Sequence, residues 1–206
     1  MKKNAVSMDA RTDYPVHEFI TKRWSPYGFS DQPVSDEDLL SIFEAVRWAP
    51  SCFNDQPWHY IVARKEDLQE FEKMRSCLVK ANQVWTEFVP VLALSVARLN
   101  FSHNNKPNRS ALHDMGLAAG NLLLEATSRG LSVHQMIGIL PDRVREVYGI
   151  PDGFQPMTGI AIGYVGTADR LPENYSERDL KRRPRKDLKD FIFGKNWGIR
   201  SEIVKS

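Results

Sequence analysis

Only two cysteines, Cys52 and Cys77, occur in the 206 residues, and they stand in no metal-ligating or redox spacing. A disulfide framework is thereby excluded, and a reducing, cytoplasmic setting is expected. Five histidines, at 17, 59, 103, 113 and 134, form neither an H-x-x-x-H nor an H-E-x-x-H pattern, so no metal site is expected. Long apolar runs are missing too. No stretch nears the ~18 uninterrupted apolar residues of a membrane span, and the basic start MKKNAVSMDARTDYP has no apolar run behind it, so neither a membrane partner nor a signal peptide is expected. Nor is one sign of charge in excess. Lys and Arg number 28 against 26 Asp and Glu, a net charge of +2, which gives no global pull towards nucleic acid.

What is present, 42% hydrophobic and 26% charged residues, suits one soluble domain with a sizeable core. Residues 1–14 are polar and aperiodic and read as a loose N-terminal arm; 15–206 read as a single domain whose last stretch, from about 167, is a polar C-terminal arm. A first helix is expected through Val16, Phe19 and Ile20 towards Arg23, ended by Pro26 and Gly28. Ser35 with Asp38 three residues on is a variant capping box opening a helix that carries Leu39, Leu40, Ile42, Phe43 and Val46, closed by Pro50. A strand at 60–63, a helix from Glu66 to Met74 and an apolar strand from Val89 to Ala97 follow.

After the loop at 102–110, apolar residues on nearly every face of Ala111 to Arg129 predict a helix buried all round, with Gly116, Ala118, Ala119 and Gly120 allowing close packing within or between subunits. Strands are then expected at 131–138 and 157–166, with a helix between them opened by Pro141 and ended by Gly149. Roughly four strands among five or more helices, without regular alternation or repeat, make the class α+β.

Few chemical constellations survive inspection. Ser51, Cys52 and His59 lie close together, but no G-x-S-x-G elbow surrounds a serine. The cysteines read as small buried hydrophobes and His59, beside Trp58, as a packed ring. Glycines at 116 and 120 fall inside a helix and those at 159, 163 and 166 inside a strand, so they are packing glycines and not phosphate loops. Arginine grips phosphate through a planar fork, and the chain offers Arg23 next to Ser25 and, far away, Arg183 and Arg185 in the cluster Lys181, Arg182, Arg183, Arg185, Lys186. The residues alone therefore reach only to an anion site, with solvated surface charge as the plain alternative.

Four segments, RWSPYGF at 23–29, APSCFNDQPWHYIVA at 49–63, GLAAGNLLLEATSRGLSVHQMIG at 116–138 and GIPDGFQPMTGIAIGYVG at 149–166, together resemble the nitroreductase family of flavoproteins, in order and over nearly the whole chain. The resemblance implies a central, mainly antiparallel sheet wrapped by helices and a homodimer that exchanges C-terminal arms and holds FMN at its interface. It places Arg23, Ser25, Arg183 and Arg185 at the FMN phosphate and ribityl chain. It also places Pro50, Ser51, Cys52 and Asn54 of one subunit beside the isoalloxazine bound by the other. Gly138, after Met136 and Ile137, matches the backbone N–H donor to flavin N5, so the cofactor and no side chain carries the chemistry, and Asn82 matches an asparagine at the pyrimidine edge.

Tyr27 stands where many members carry Lys or Arg beside N1 and O2, and Trp24 replaces a commonly polar neighbour. A tyrosine there offers a hydrogen bond without a charge. The implied activity is ping-pong hydride transfer from NADH or NADPH, through FMN, to a small-molecule acceptor of nitroaromatic or quinone type. Other flavin chemistry within the family, reductive dehalogenation or flavin breakdown, and a non-enzymatic FMN-binding module are the alternatives.

Overall fold

The eight-residue run Val91–Arg98 forms a strand that is buried along almost its whole length, as its unbroken apolar character demands of a central strand covered on both faces. The computed structural model describes residues 8–179, 181 and 184–205. Among them the elements run α1 (Glu18–Lys22), α2 (Asp36–Arg47), β1 (Trp58–Arg64), α3 (Leu68–Arg75), α4 (Lys80–Thr86), β2 (Val91–Arg98), α5 (Ala111–Ser128), β3 (Ser132–Met136), α6 (Pro141–Tyr148), β4 (Phe154–Gly163) and α7 (Glu173–Asp179). The strands form one sheet in the order β1-β2-β4-β3, antiparallel throughout.

Alternation of side chains along each strand divides the core in two. On one face Val91, Ala93, Val133, Ile160 and Ile162 pack beneath Ile42 and Val46 of α2 and Leu122 and Ala126 of α5. On the other, Leu92, Leu94, Met136 and Ala161 meet Phe71, Met74, Trp85 and Val144. Helices thus cover both faces of an α+β sheet.

Local signals explain most boundaries. The Ser35 hydroxyl accepts the Asp38 N–H at 3.0 Å, capping α2. Pro141 opens α6, and Gly149 ends it at φ 62°, a left-handed conformation suited to glycine. Two expectations about helices need correction. The first helix is only five residues long and leaves Val16 outside and exposed, because His17 caps it. The second concerns α5, which is not buried all round: Leu112, Leu117 and Leu124 remain exposed along one side, and a Cβ at Gly116 or Gly120 would meet nothing within 4 Å. Those two glycines serve no packing among the described residues.

Strand β4 ends at Gly163, short of the expected 166, but Gly159, Gly163 and Gly166 do pack. A Cβ at Gly166 would lie 2.4 Å from the carbonyl carbon and oxygen of Phe29, where the two segments form an antiparallel bridge. Gly166→Ala is therefore expected to destabilise the chain towards the upper end of the ~1–3 kcal/mol typical of overpacking, because backbone and not a flexible side chain must yield; thermal unfolding measures it. Helix α4 escaped the sequence reading. Its N-cap is Val79, without a capping side chain, and burial of Trp85 and Thr86 holds it in place. Cys77 is buried as expected, whereas Cys52 is only half-buried.

Near the N-terminus the Ala10 N–H reaches the Thr21 carbonyl at 2.7 Å, and residues 1–7 of the expected arm lie outside the described residues. No helix among the described residues is long and apolar enough to cross a membrane, and none of their His, Cys, Asp and Glu side chains group into a metal site.

Candidate functional site

Helix α1 ends at Lys22, and in the segment 23–30 that follows five backbone groups are held by partners distant in sequence. His134 of β3 shares a hydrogen bond of 2.8 Å with the Pro26 carbonyl. The Tyr27 and Gly28 N–H groups each donate to Asp179 of α7 at 2.7 Å. Gly28 O accepts from Gly166, and the Ser30 N–H donates to the Tyr164 carbonyl. A loop so over-determined presents its remaining side chains in fixed positions.

Arg23 leaves this loop half-buried, its Nη1 3.4 Å from the Ser25 hydroxyl. Among the described residues it has no carboxylate partner. Burial first, and the charge of Arg185 second, push its pKa below the ordinary guanidinium value. Two cations bearing on one another at a partly desolvated place are unfavourable alone and favour an anion between them. Arg185 of the C-terminal segment, more than 150 residues away in sequence, thus bears electrostatically on Arg23, while Arg183 lies outside the described residues. Trp24 is half-buried beside them.

The same loop is fastened to β3. Tyr27 places its ring 4.7 Å from His134, 5.2 Å from Trp85 and 5.3 Å from Tyr175, edge-on or tilted in each case. Tyr27 is therefore a packed member of an aromatic cluster. Two residues beyond His134 β3 ends at Met136, which is buried, and Ile137 turns out to solvent with 80% of its surface exposed. Gly138 follows: its carbonyl accepts the Asn82 side-chain amide at 2.9 Å and the Val79 N–H at 3.0 Å. Its own N–H donates to no acceptor among the described residues. A Cβ there would sit 2.5 Å from Asn82 Nδ2, so only glycine lets α4 approach so closely. Asn82 also accepts from the Trp85 indole at 3.3 Å, so its amide fixes the turn at Gly138 whatever else it touches.

The loop Pro50–Asn54 is tied elsewhere. The Cys52 N–H donates to Asp114 on the first turn of α5 at 3.0 Å, and the Gln56 N–H to the Ser51 hydroxyl at 3.1 Å. Phe53, Asn54 and Gln56 all have φ between 50° and 54°, a left-handed strain for residues with side chains. Phe53 stands 81% exposed, its ring 5.7 Å from Phe101. Asp55, whose side chain is fully buried, holds the whole bend by accepting from the Ser102 N–H and hydroxyl at 2.8 and 2.7 Å and from Arg98 at 3.1 Å. Burial alone would raise its pKa, but those donors outweigh burial and hold the carboxyl below its usual value.

Of the residues singled out in the sequence, Tyr27 on the 23–30 loop is linked through His134 and Trp85 to Asn82 and the turn at Gly138, Met136 and Ile137 lie beside that turn, and Arg185 bears electrostatically on Arg23 near Ser25. Sequence reasoning missed His134, Asp179, Asp114 and Asp55, which carry no local motif because every partner is distant in sequence.

The sequence profile described as "Nitroreductase family" matches residues 20–164. The chain belongs to the nitroreductase family. A Methanothermobacter thermautotrophicus protein named "Putative NADH dehydrogenase/NAD(P)H nitroreductase" is 30% identical over 169 residues, covering 80% of this chain and 82% of that one. An Archaeoglobus fulgidus protein of the same name is 28% identical, over 71% of this chain and 83% of its own. Among solved structures, an oxidoreductase containing FMN superposes with a TM-score of 0.83 at 34% identity, covering 91% of this chain and 95% of that chain. A Clostridium difficile FMN-dependent nitroreductase shares the fold at TM-score 0.66 and 22% identity, over 87% and 98% of the two chains. This nitroreductase-family oxidoreductase therefore has the antiparallel sheet flanked by helices that its four sequence segments implied.

Proposed function

We propose that the region around Arg23 and Gly138 binds FMN and that the protein carries hydride from NADH or NADPH to a small nitroaromatic or quinone-like acceptor in a ping-pong cycle. The carrying observation is the half-buried Arg23, which feels the charge of Arg185 and has no carboxylate partner among the described residues, on a loop bonded directly to β3, the strand that ends two residues before Gly138. That donor set fits a phosphate at one end and a ring acceptor at the other. The cation pair and the Ser25 hydroxyl would hold the phosphate and ribityl oxygens; the free Gly138 N–H would donate to a ring nitrogen. FMN, when bound, supplies the hydride-accepting centre, which is why no acid–base pair is needed here. The FMN-containing relative supports the assignment.

The protein's part is orientation. His134, Tyr27 and Trp85 keep the phosphate loop and β3 in register, and Asn82 keeps the Gly138 turn open to the ring. The full chain is expected to purify with, or take up, one FMN per subunit. Added quinone should then sustain NADH or NADPH oxidation, followed by absorbance. A chain that binds FMN but never turns over would be a binding module, and one that ignores FMN would end the reading.

The homodimer belongs to the same proposal. Leu112, Leu117 and Leu124 line an exposed side of α5 whose glycines face open space, the arrangement a second α5 would fill. Trp197, 92% exposed on the C-terminal arm, supports the exchange of arms. Sedimentation of the FMN-loaded protein should give a dimer, and Leu117→Lys should shift it towards monomer by placing a charge in the contact. A wild-type monomer would refute the interfacial role given to Pro50–Asn54.

A further inference from the structure

We propose that Asp179 is a positioning residue for the FMN phosphate, a latch that ties the C-terminal arm to the loop carrying Arg23. The proposal rests on the reading that Arg23 and Arg185 take that phosphate. Asp179 is the last residue of α7 and only 8% exposed. Its Oδ1 accepts the Tyr27 N–H and its Oδ2 the Gly28 N–H, each at 2.7 Å, so one carboxylate straps two consecutive amides of a loop some 150 residues away. Charge-assisted bonds of this kind are about twice as strong as neutral ones.

Three features show that the contact is built and does not arise from α7 itself. A carboxylate at the C-terminal end of a helix meets the negative end of the helix dipole, so α7 alone gives Asp179 no support. Gly28 admits the approach: a Cβ there would lie 3.1 Å from the Thr167 carbonyl and 3.3 Å from Asp179 Oδ2. One turn earlier on the same side of α7, Tyr175 seats its ring 5.3 Å from Tyr27 and donates its hydroxyl to the Ala81 carbonyl at 2.6 Å. Tyr175 and Asp179, four residues apart, thus grip the loop together.

Arg185 follows Asp179 by six residues, a tether of at most ~21 Å, and Arg23 precedes Tyr27 by four. The latch is therefore the hydrogen-bonded point from which both guanidiniums, each on a short stretch of chain, reach one anion. Without it the arm keeps its charge but loses its address, and the cost falls on the phosphate and not on the ring of the flavin.

Riboflavin, which lacks the phosphate, separates this role from a general one. Flavin-fluorescence titration of the full chain freed of flavin is expected to show FMN bound more tightly than riboflavin in the wild type. In Asp179→Asn one carboxamide N–H would face a backbone N–H, so FMN affinity should fall at least ~10-fold with riboflavin affinity unchanged. Asp179→Glu should restore part of the preference. Equal losses for both flavins, or an unchanged preference in Asp179→Asn, would overturn the latch while leaving the phosphate reading intact. A wild type that binds the two flavins equally would overturn the phosphate reading and the latch with it.

Should Asp179→Asn fail to fold, amide hydrogen exchange on the wild type decides. Protected Tyr27 and Gly28 amides, with protection spreading to residues 185–187 on adding FMN but not riboflavin, support the latch. Freely exchanging amides at 27 and 28, or no spread, overturn it.

Discussion

Replacing Arg23 and Arg185 together by alanine is expected to weaken FMN binding by at least ~100-fold. Each guanidinium can supply charge-assisted hydrogen bonds worth ~1.5–3 kcal/mol, and 1.4 kcal/mol is a tenfold change in affinity. The charge of Arg185 bears on Arg23, so if both hold one phosphate the two single losses should not simply add up to the double one. Arg23→Lys should recover part of the loss, because it keeps the charge and gives up the planar fork. Riboflavin binding should hardly move. Titration of flavin fluorescence checks all of these, and an FMN affinity unchanged in the double variant would show that the anion site lies elsewhere.

Asp55→Ala should be the most damaging single change to stability, at about 3–5 kcal/mol, the range for breaking a buried charge pair. The carboxylate is fully buried, and its loss would strand Arg98, the Ser102 N–H and hydroxyl and the Asn108 amide, all of which donate to it. It would also free a bend in which Phe53, Asn54 and Gln56 hold left-handed backbone, strain that persists only while the surroundings enforce it. Linkage gives a second signature. Because the folded carboxyl titrates below its unfolded value, its contribution is complete above the unfolded pKa of about 4 and is lost as pH falls through the lower folded value. Chemical denaturation at a series of acid pH values should therefore show a stability decline in the wild type that is smaller in Asp55→Asn. A variant as stable as the wild type would remove Asp55 as the anchor of the Pro50–Asn54 loop.

What the sequence determined by itself was whatever depends on near neighbours. Period-two and period-3.6 patterns located four strands and most helices, and Ser35, Pro141 and Gly149 marked ends through hydrogen bonds or torsions that span only a turn. Where the deciding interaction was distant, the reading failed: α4 has no cap and exists because Trp85 and Thr86 are buried, and the apolar circumference of α5 gave no hint that one side stays open.

The candidate site divides in the same way. Arg23 with Ser25, and Arg185, could be singled out because arginine suits a phosphate, and Gly138 only because the segment around it resembles a family. Only the tertiary structure revealed that His134 bonds Pro26, that Asn82 clasps Gly138, and that Asp179 holds Tyr27 and Gly28. Each of these is a side chain satisfying a backbone group dozens to more than a hundred residues away. Any aspartate, asparagine or histidine can do that, so no local pattern distinguishes the one that does; the choice is made when the chain closes and each buried N–H and C=O must find a partner.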